Sequence, residues 1–121
     1  MTEGFKHDDG KPMWQLLPMG QVEEVVKVIT MGAKKYAPGN WKAVPDARNR
    51  YIGAAYRHLA SVQKGEDKDS ESGLSHLAHA VCNLLFVMWF EDMTNKLMTP
   101  DPDGVRPPKI TASKGKEPKY E

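Results

Sequence analysis

The chain has 121 residues and a formal net charge of +1, enough for one small domain with a single core and little to spare. That balance gives no case for bulk nucleic-acid binding or for a polybasic membrane protein. A lone cysteine, Cys82, excludes an intrachain disulfide and fits a small apolar residue in a reducing cytoplasm. The polar start, Met1-Thr2-Glu3-Gly4-Phe5-Lys6-His7-Asp8, does not read as a signal peptide, and no apolar run approaches the roughly 18 residues that span a bilayer.

Residues 1–18 read as an extended arm, with Lys11 behind the flexible Gly10 in the manner of a phosphate contact. A first helix is expected from about Met19 to Tyr36, started by Pro18, with Val22, Val25, Val26, Ile29 and Ala33 as its core stripe. The loop Ala37-Pro38-Gly39-Asn40-Trp41 ends it. Lys34, Lys35, Tyr36, Asn40 and Trp41 then form a compact group in which aromatic rings could stack a base and Asn40 could read a purine edge. For Trp41 a plain core-covering role beside the Pro-Gly turn competes strongly. A second helix is expected after Pro45-Asp46, with Asp46 as N-cap, and runs to about Lys64. It sets Arg50, Arg57 and His58 on one face beside Ala47 and Ala54, while Arg48, Ile52, Ala55, Tyr56 and Leu59 fall on the other side. Arginine forks suit phosphate oxygens, although a solvated basic face is the ordinary alternative for any one of them.

The third helix is expected from about Ser72 to Asn95, entered through the acidic loop Gly65-Glu66-Asp67-Lys68-Asp69-Ser70-Glu71-Ser72. Leu77, Ala78, Val81, Leu84, Leu85 and Met88 recur at helical spacing and read as its core face. His76, His79 and Asn83 make a narrow polar stripe that runs on into Phe86, Val87 and Phe90. A helix apolar nearly all round is a buried one, so these polar groups should lie inside the protein or at a subunit interface, with polar partners. A single such histidine is most simply a core residue bonded to a backbone carbonyl. Two, in line with Asn83 and downstream of four carboxylates, point to a site that holds a metal or moves a proton. From residue 98 onward the chain carries five of its nine prolines and reads as an irregular tail. No alternating period calls for a sheet. The expectation is an all-α fold: a small bundle of about three main helices in one domain, residues 1–97, with an irregular tail at 98–121.

Carboxylates for cations beside arginines and lysines for phosphates describe a polyphosphate site, whose chemistry is mainly positioning and charge neutralisation. No GxxxxGK[ST], GxGxxG, CxxC, HExxH or GxSxG pattern is present.

The ordered run Asp9-Gly10-Lys11-Pro12, Leu16-Leu17-Pro18, Gly32-Ala33-Lys34-Lys35-Tyr36, Asn40-Trp41, Arg57-His58, Gly65-Glu66, Glu71-Ser72-Gly73 and His76-Leu77-Ala78-His79-Ala80 resembles the phage and prophage dATP/dGTP diphosphohydrolases. The match covers roughly residues 6–90. The resemblance implies hydrolysis of purine deoxynucleoside triphosphates between the α and β phosphates, giving monophosphate and pyrophosphate. Through the related MazG-type pyrophosphohydrolases it also implies an oligomeric helical bundle that uses Mg2+ or Mn2+. One departure stands out. Where MazG-type enzymes carry ExxE and ExxD, this chain has His76-Leu77-Ala78-His79, and its first helix offers only Glu23 and Glu24.

On this reading Glu24, Glu66, Asp69 and Glu71 are expected to hold divalent cations. His76, His79 and His58 are expected to act as ligand or general acid and base. Lys11, Arg50 and Arg57 would neutralise phosphates, and Lys35, Tyr36, Asn40, Trp41 and Asn83 would contact the rest of the nucleotide. The partners expected are a purine nucleotide and further copies of the chain, in the host cytoplasm. The alternative is a phage protein that sequesters a nucleotide or nucleotide-derived signal without turnover, as an anti-defence device. A structural adaptor explains the histidine stripe least.

Overall fold

A computed structural model describes residues 3–98. The proline-rich tail expected at 98–121 therefore lies, past its first residue, outside the described residues. Three helices form the body: α1 (Met19–Lys35), α2 (Ala47–Gln63) and α3 (His76–Met98). Short 3-10 turns at Trp14–Leu16 and Asn40–Ala43 precede α1 and α2. Among the described residues there is no strand, only an isolated antiparallel bridge between Lys68 and Ser75. The all-α expectation holds.

The arm is extended and exposed, folded once where the Lys11 N–H donates to the Asp8 carbonyl at 3.1 Å across Gly10, whose φ of 78° suits glycine. Pro18 sits at the start of α1, its carbonyl accepting from Gln21 and Val22. Asp46 starts α2 by a different route from the one expected. It adopts a left-handed conformation (φ 49°) and makes no side-chain cap. Its carbonyl instead takes the Arg50 N–H at 3.1 Å, and its carboxylate accepts from the Asn49 side chain. Aspartate tolerates that backbone better than most residues.

α3 begins four residues later than the periodicity suggested. Ser75 is its cap, the hydroxyl accepting from the N–H groups of Leu77 (3.1 Å) and Ala78 (3.3 Å). Residues 72–75 are held instead by the loop, where Gly73 at φ 72° breaks the helical course.

α3 packs mainly on α2 and less extensively on α1. The core is small in every sense. Val25 and Val28 of α1 meet Ala78 and Cys82 of α3, flanked by Ile29, Leu74 and Phe86. Ala47, Ala55, Ala80 and Val87 are the other buried apolar residues among those described. The assignment of faces on α3 is corrected for every expected core residue but Ala78, which is buried as expected. Leu77, Val81, Leu84, Leu85 and Met88 are 45–65 % exposed, whereas the opposite face, carrying His76, Ala80 and Val87, is buried. Small side chains let the helix axes approach closely, and a helix apolar all round does not announce which side will do so. On α1 the valine at 26 is likewise exposed, and Val28, outside the expected stripe, is buried.

A second cluster fastens the α1–α2 connection. Trp41 stacks on Phe86 (centroids 4.1 Å apart, planes 7° from parallel) and meets Trp89 and Phe90 edge-on. Tyr51 packs on Phe86 and donates its hydroxyl to the Trp41 carbonyl at 3.1 Å.

Candidate active site

α2 ends in a left-handed glycine cap. Gly65 (φ 93°) donates to the Val62 carbonyl and Glu66 to the Ser61 carbonyl, each at 2.9 Å. The chain then turns through a short hairpin. Asp69 N–H donates to Leu74 O (2.8 Å) and His76 N–H to Asp67 O (2.9 Å), on either side of the Lys68–Ser75 bridge. The Asp69 carboxylate holds the tip, accepting the N–H groups of Ser72 (2.8 Å) and Glu71 (3.1 Å). Those donors, the Ser72 N–H first, keep its pKa below the ordinary carboxylate value. The acidic loop is thus an ordered clasp that delivers His76 and His79 to the first turn of α3, facing His58 near the end of α2.

The three imidazoles form one group. The Nδ1 atoms of His58 and His76 are 2.9 Å apart, and the His58 and His79 rings stack at 4.6 Å. His79 Nε2 lies 2.7 Å from Ser72 Oγ, which also accepts the Leu74 N–H. His76 is 5 % exposed; its Nε2 has no hydrogen-bond partner among the described residues and faces Glu66 Oε2 at 3.6 Å. Burial lowers the pKa of His58, with the neighbouring charges of His79 and His76 acting in the same direction against Asp69. Burial is also the leading cause of the lowered pKa of His79, opposed by Asp69. One nitrogen each of His58 and His76 and one oxygen of Asp69 lie within 4.8 Å of one another. With a buried, orphaned imidazole nitrogen beside them, these residues fit a divalent ion.

The remaining expected residues are placed less tightly. His58, His76, His79, Asp69 and Glu66 come together. Glu71 pairs with Lys35 at 2.9 Å, tying the loop tip to the end of α1, and Lys35 also lies over the Tyr36 ring. Glu24 pairs with Lys27 within α1 and does not join the His58, Asp69 and His76 group. Trp41 spends one ring face on Phe86, which makes it an anchor of the connection. The Arg57 guanidinium, on an exposed residue, lies back over Gly53, and Asn83 is half-buried on α3. Arg48 pairs with Glu91 of α3. A groove of about 530 Å3 runs beside α1, lined by Glu23, Val26, Lys27, Thr30, Met31, Lys34 and Leu74, and of the expected nucleotide group it contains Lys34 alone. Sequence reasoning missed Ser72, whose hydroxyl orients His79. The signal was present in the seven-residue Ser-to-His spacing, but it becomes meaningful only once the loop folds back.

A compact all-α unit with a histidine and carboxylate cluster at one end of its main helix pair defines the class. Residues 1–99 match the family model described as dATP/dGTP diphosphohydrolase, N-terminal. The chain belongs to that family. It is also 37 % identical over 86 residues to the dATP/dGTP diphosphohydrolase of Salmonella phage PMBT28, an alignment covering 71 % of this chain and 29 % of the relative. The aligned region thus spans less than a third of that relative's length. No solved structure matches the chain. Among the described residues no helix is long and apolar enough to cross a membrane.

Proposed function

We propose that the protein hydrolyses purine deoxynucleoside triphosphates, dATP or dGTP, to the monophosphate and pyrophosphate with the help of a divalent cation, in the cytoplasm of a phage-infected host. The observation that carries this reading is the convergence of His58, His76 and His79 on Asp69 in a chain of this family. His58, His76 and Asp69 would hold the cation, which when bound would neutralise phosphate charge and polarise a water. Ser72 orients His79 through the 2.7 Å contact to its Nε2. The depressed pKa of His79 favours its neutral form near pH 7, so this imidazole, outside the trio that would hold the cation, can accept a proton from water or a polar group. Lys11, Arg50 and Arg57 would meet the phosphate chain, with Lys35, Tyr36 and Asn40 toward the sugar and base. The Lys35–Glu71 pair would have to open if either group is recruited, a small cost for an exposed ion pair.

Assembly belongs to the same proposal. Leu77, Val81, Leu84 and Met88 are separated by alternating steps of four and three residues along one side of α3, which is the spacing of a two-helix seam. A second copy supplies a matching seam.

The test is incubation with a panel of deoxynucleoside triphosphates, with and without divalent cations, and chromatography of the products. Pyrophosphate release from dATP or dGTP that falls at least about tenfold in His79→Gln, or about 1.4 kcal/mol of transition-state stabilisation, fits the proposal. Recovery of an intact, tightly held nucleotide would favour the sequestering alternative, for which the observation is imidazoles standing in place of a carboxylate quartet.

A further inference from the structure

We infer that His58, His76 and Asp69 form a binding site for a first-row transition-metal ion, of the manganese-to-zinc class, and that magnesium is a poor occupant of it. The inference deepens the metal part of the proposed function and rests on that part alone, not on turnover or on purine recognition.

Three observations carry it. First, two imidazole nitrogens converge at 2.9 Å, Nδ1 to Nδ1. Two lone pairs at that distance repel unless a proton or a cation lies between them. Second, the Asp69 carboxylate completes a group whose ligand atoms all fall within 4.8 Å. The loop fixes that carboxylate in place, since the Ser72 and Glu71 N–H groups already hold one of its oxygens, Oδ2. Third, His76 is 5 % exposed and its other nitrogen is sealed from water without a hydrogen bond, facing Glu66 Oε2 at 3.6 Å. A ligating imidazole ordinarily turns its second N–H to a carboxylate, which fixes its orientation and strengthens it as a ligand. Glu66 is placed for that role.

The donor types select the metal. Magnesium prefers an all-oxygen octahedron with several waters. Imidazole suits the later first-row ions, whose affinity for such nitrogen and oxygen sites rises from manganese toward copper. Two nitrogens and one oxygen also leave positions open for water or a phosphate oxygen, as a catalytic rather than a structural site requires.

The experiment is direct metal binding by the full chain in the absence of nucleotide. Chain stripped with a chelator is titrated with Co2+, followed by visible absorption, and Mn2+ and Zn2+ stoichiometry is read by elemental analysis after gel filtration. One equivalent per chain is expected, undisturbed by millimolar magnesium. His58→Asn and Asp69→Asn should each weaken binding by at least about tenfold, the scale on which perturbing such shells acts. His76→Asn reports only if its circular dichroism is native, so the half-buried His58 and Asp69 variants keep the test decisive. His79→Gln, outside the ligand trio, should retain the Co2+ spectrum and affinity. Absence of saturable Co2+, Mn2+ and Zn2+ binding would overturn the inference, as would displacement by magnesium or binding indifferent to His58 and Asp69. Hydrolysis supported by magnesium alone, without transition-metal binding, would sink this inference and spare the hydrolase. Tight cobalt binding without hydrolysis would do the reverse.

Discussion

Apart from the aromatic cluster, the two faces of α3 divide its apolar residues largely by size. The inward face carries Ala78, Ala80, Cys82 and Val87 between the histidines and the aromatic cluster, all 2–6 % exposed. The outward stripe carries Leu77, Val81, Leu84, Leu85 and Met88, all 45–65 % exposed. Close approach of α3 to α2 and α1 is possible because the inward side chains are small, and that approach is what brings His58 within hydrogen-bonding distance of His76. The leucines and Met88 of this stripe stay exposed in the chain, and the proposed assembly would cover them, since an apolar stripe of that length is ordinarily an interface. Tight packing thus serves the histidine cluster, and the exposed bulk would serve the proposed assembly.

The sharpest way to break this contrast is to enlarge the inner face. Ala80→Leu should destabilise the chain by about 1–3 kcal/mol through overpacking, a loss of several degrees or more in Tm by calorimetry. A variant with unchanged Tm would show that the α2–α3 spacing is loose. Next in size is the outer face: Val81→Glu with Leu84→Glu should keep helical circular dichroism while abolishing a concentration-dependent dimer in sedimentation equilibrium. A wild-type chain that is monomeric at tens of micromolar would remove assembly from the account.

The fold class, the three helices and the gathering of histidines at the third were all legible in the sequence, because long periodic segments and a Pro-Gly or Gly-bounded loop are local signals. The facing of α3 was not. Its apolar residues cover both sides, so periodicity marked a leucine stripe together with Ala78, without showing that Ala78, Ala80, Cys82 and Val87 rather than the leucines would be chosen for the interior. His58 was grouped with His76 and His79 by expected role, but its direct contact with His76 was illegible, since 18 residues and a clasped loop intervene. On α2 His58 shares its face with arginines, and packing turns the expected common role into a 2.9 Å contact.

Cys82 sharpens the contrast more gently. Burial pushes its thiol to about 11, so in the native chain it should resist thiol reagents at pH 8 and react fully once urea unfolds the protein. Rapid native labelling would mean the inward face opens readily. The smallest effect concerns pH. His58 and His79 have folded pKa values below the ordinary histidine value, so the unfolded chain binds protons first as pH falls. Their stabilising contribution is complete above the unfolded value of about 6.5 and is lost as pH drops from there through the depressed folded values. Urea midpoints measured between pH 7.5 and 5 should therefore decline, less so in His58→Asn; an equal decline in the variant would assign the slope to other groups.

The clasp that joins α2 to α3 has a kinetic consequence as well. The Gly65 cap, the Lys68–Ser75 bridge and the Ser75 cap are all contacts between near neighbours in the chain, and the most extensive helix pairing is the one they connect. Local contacts form fast because little loop entropy is lost in making them. The α2–α3 hairpin should therefore form first and open last, with α1 docking later through Val25 and Val28. In native-state hydrogen exchange, the amides of α1 should exchange through a cheaper opening than those of α2 and α3, exposing Cys82 while the three imidazoles stay together.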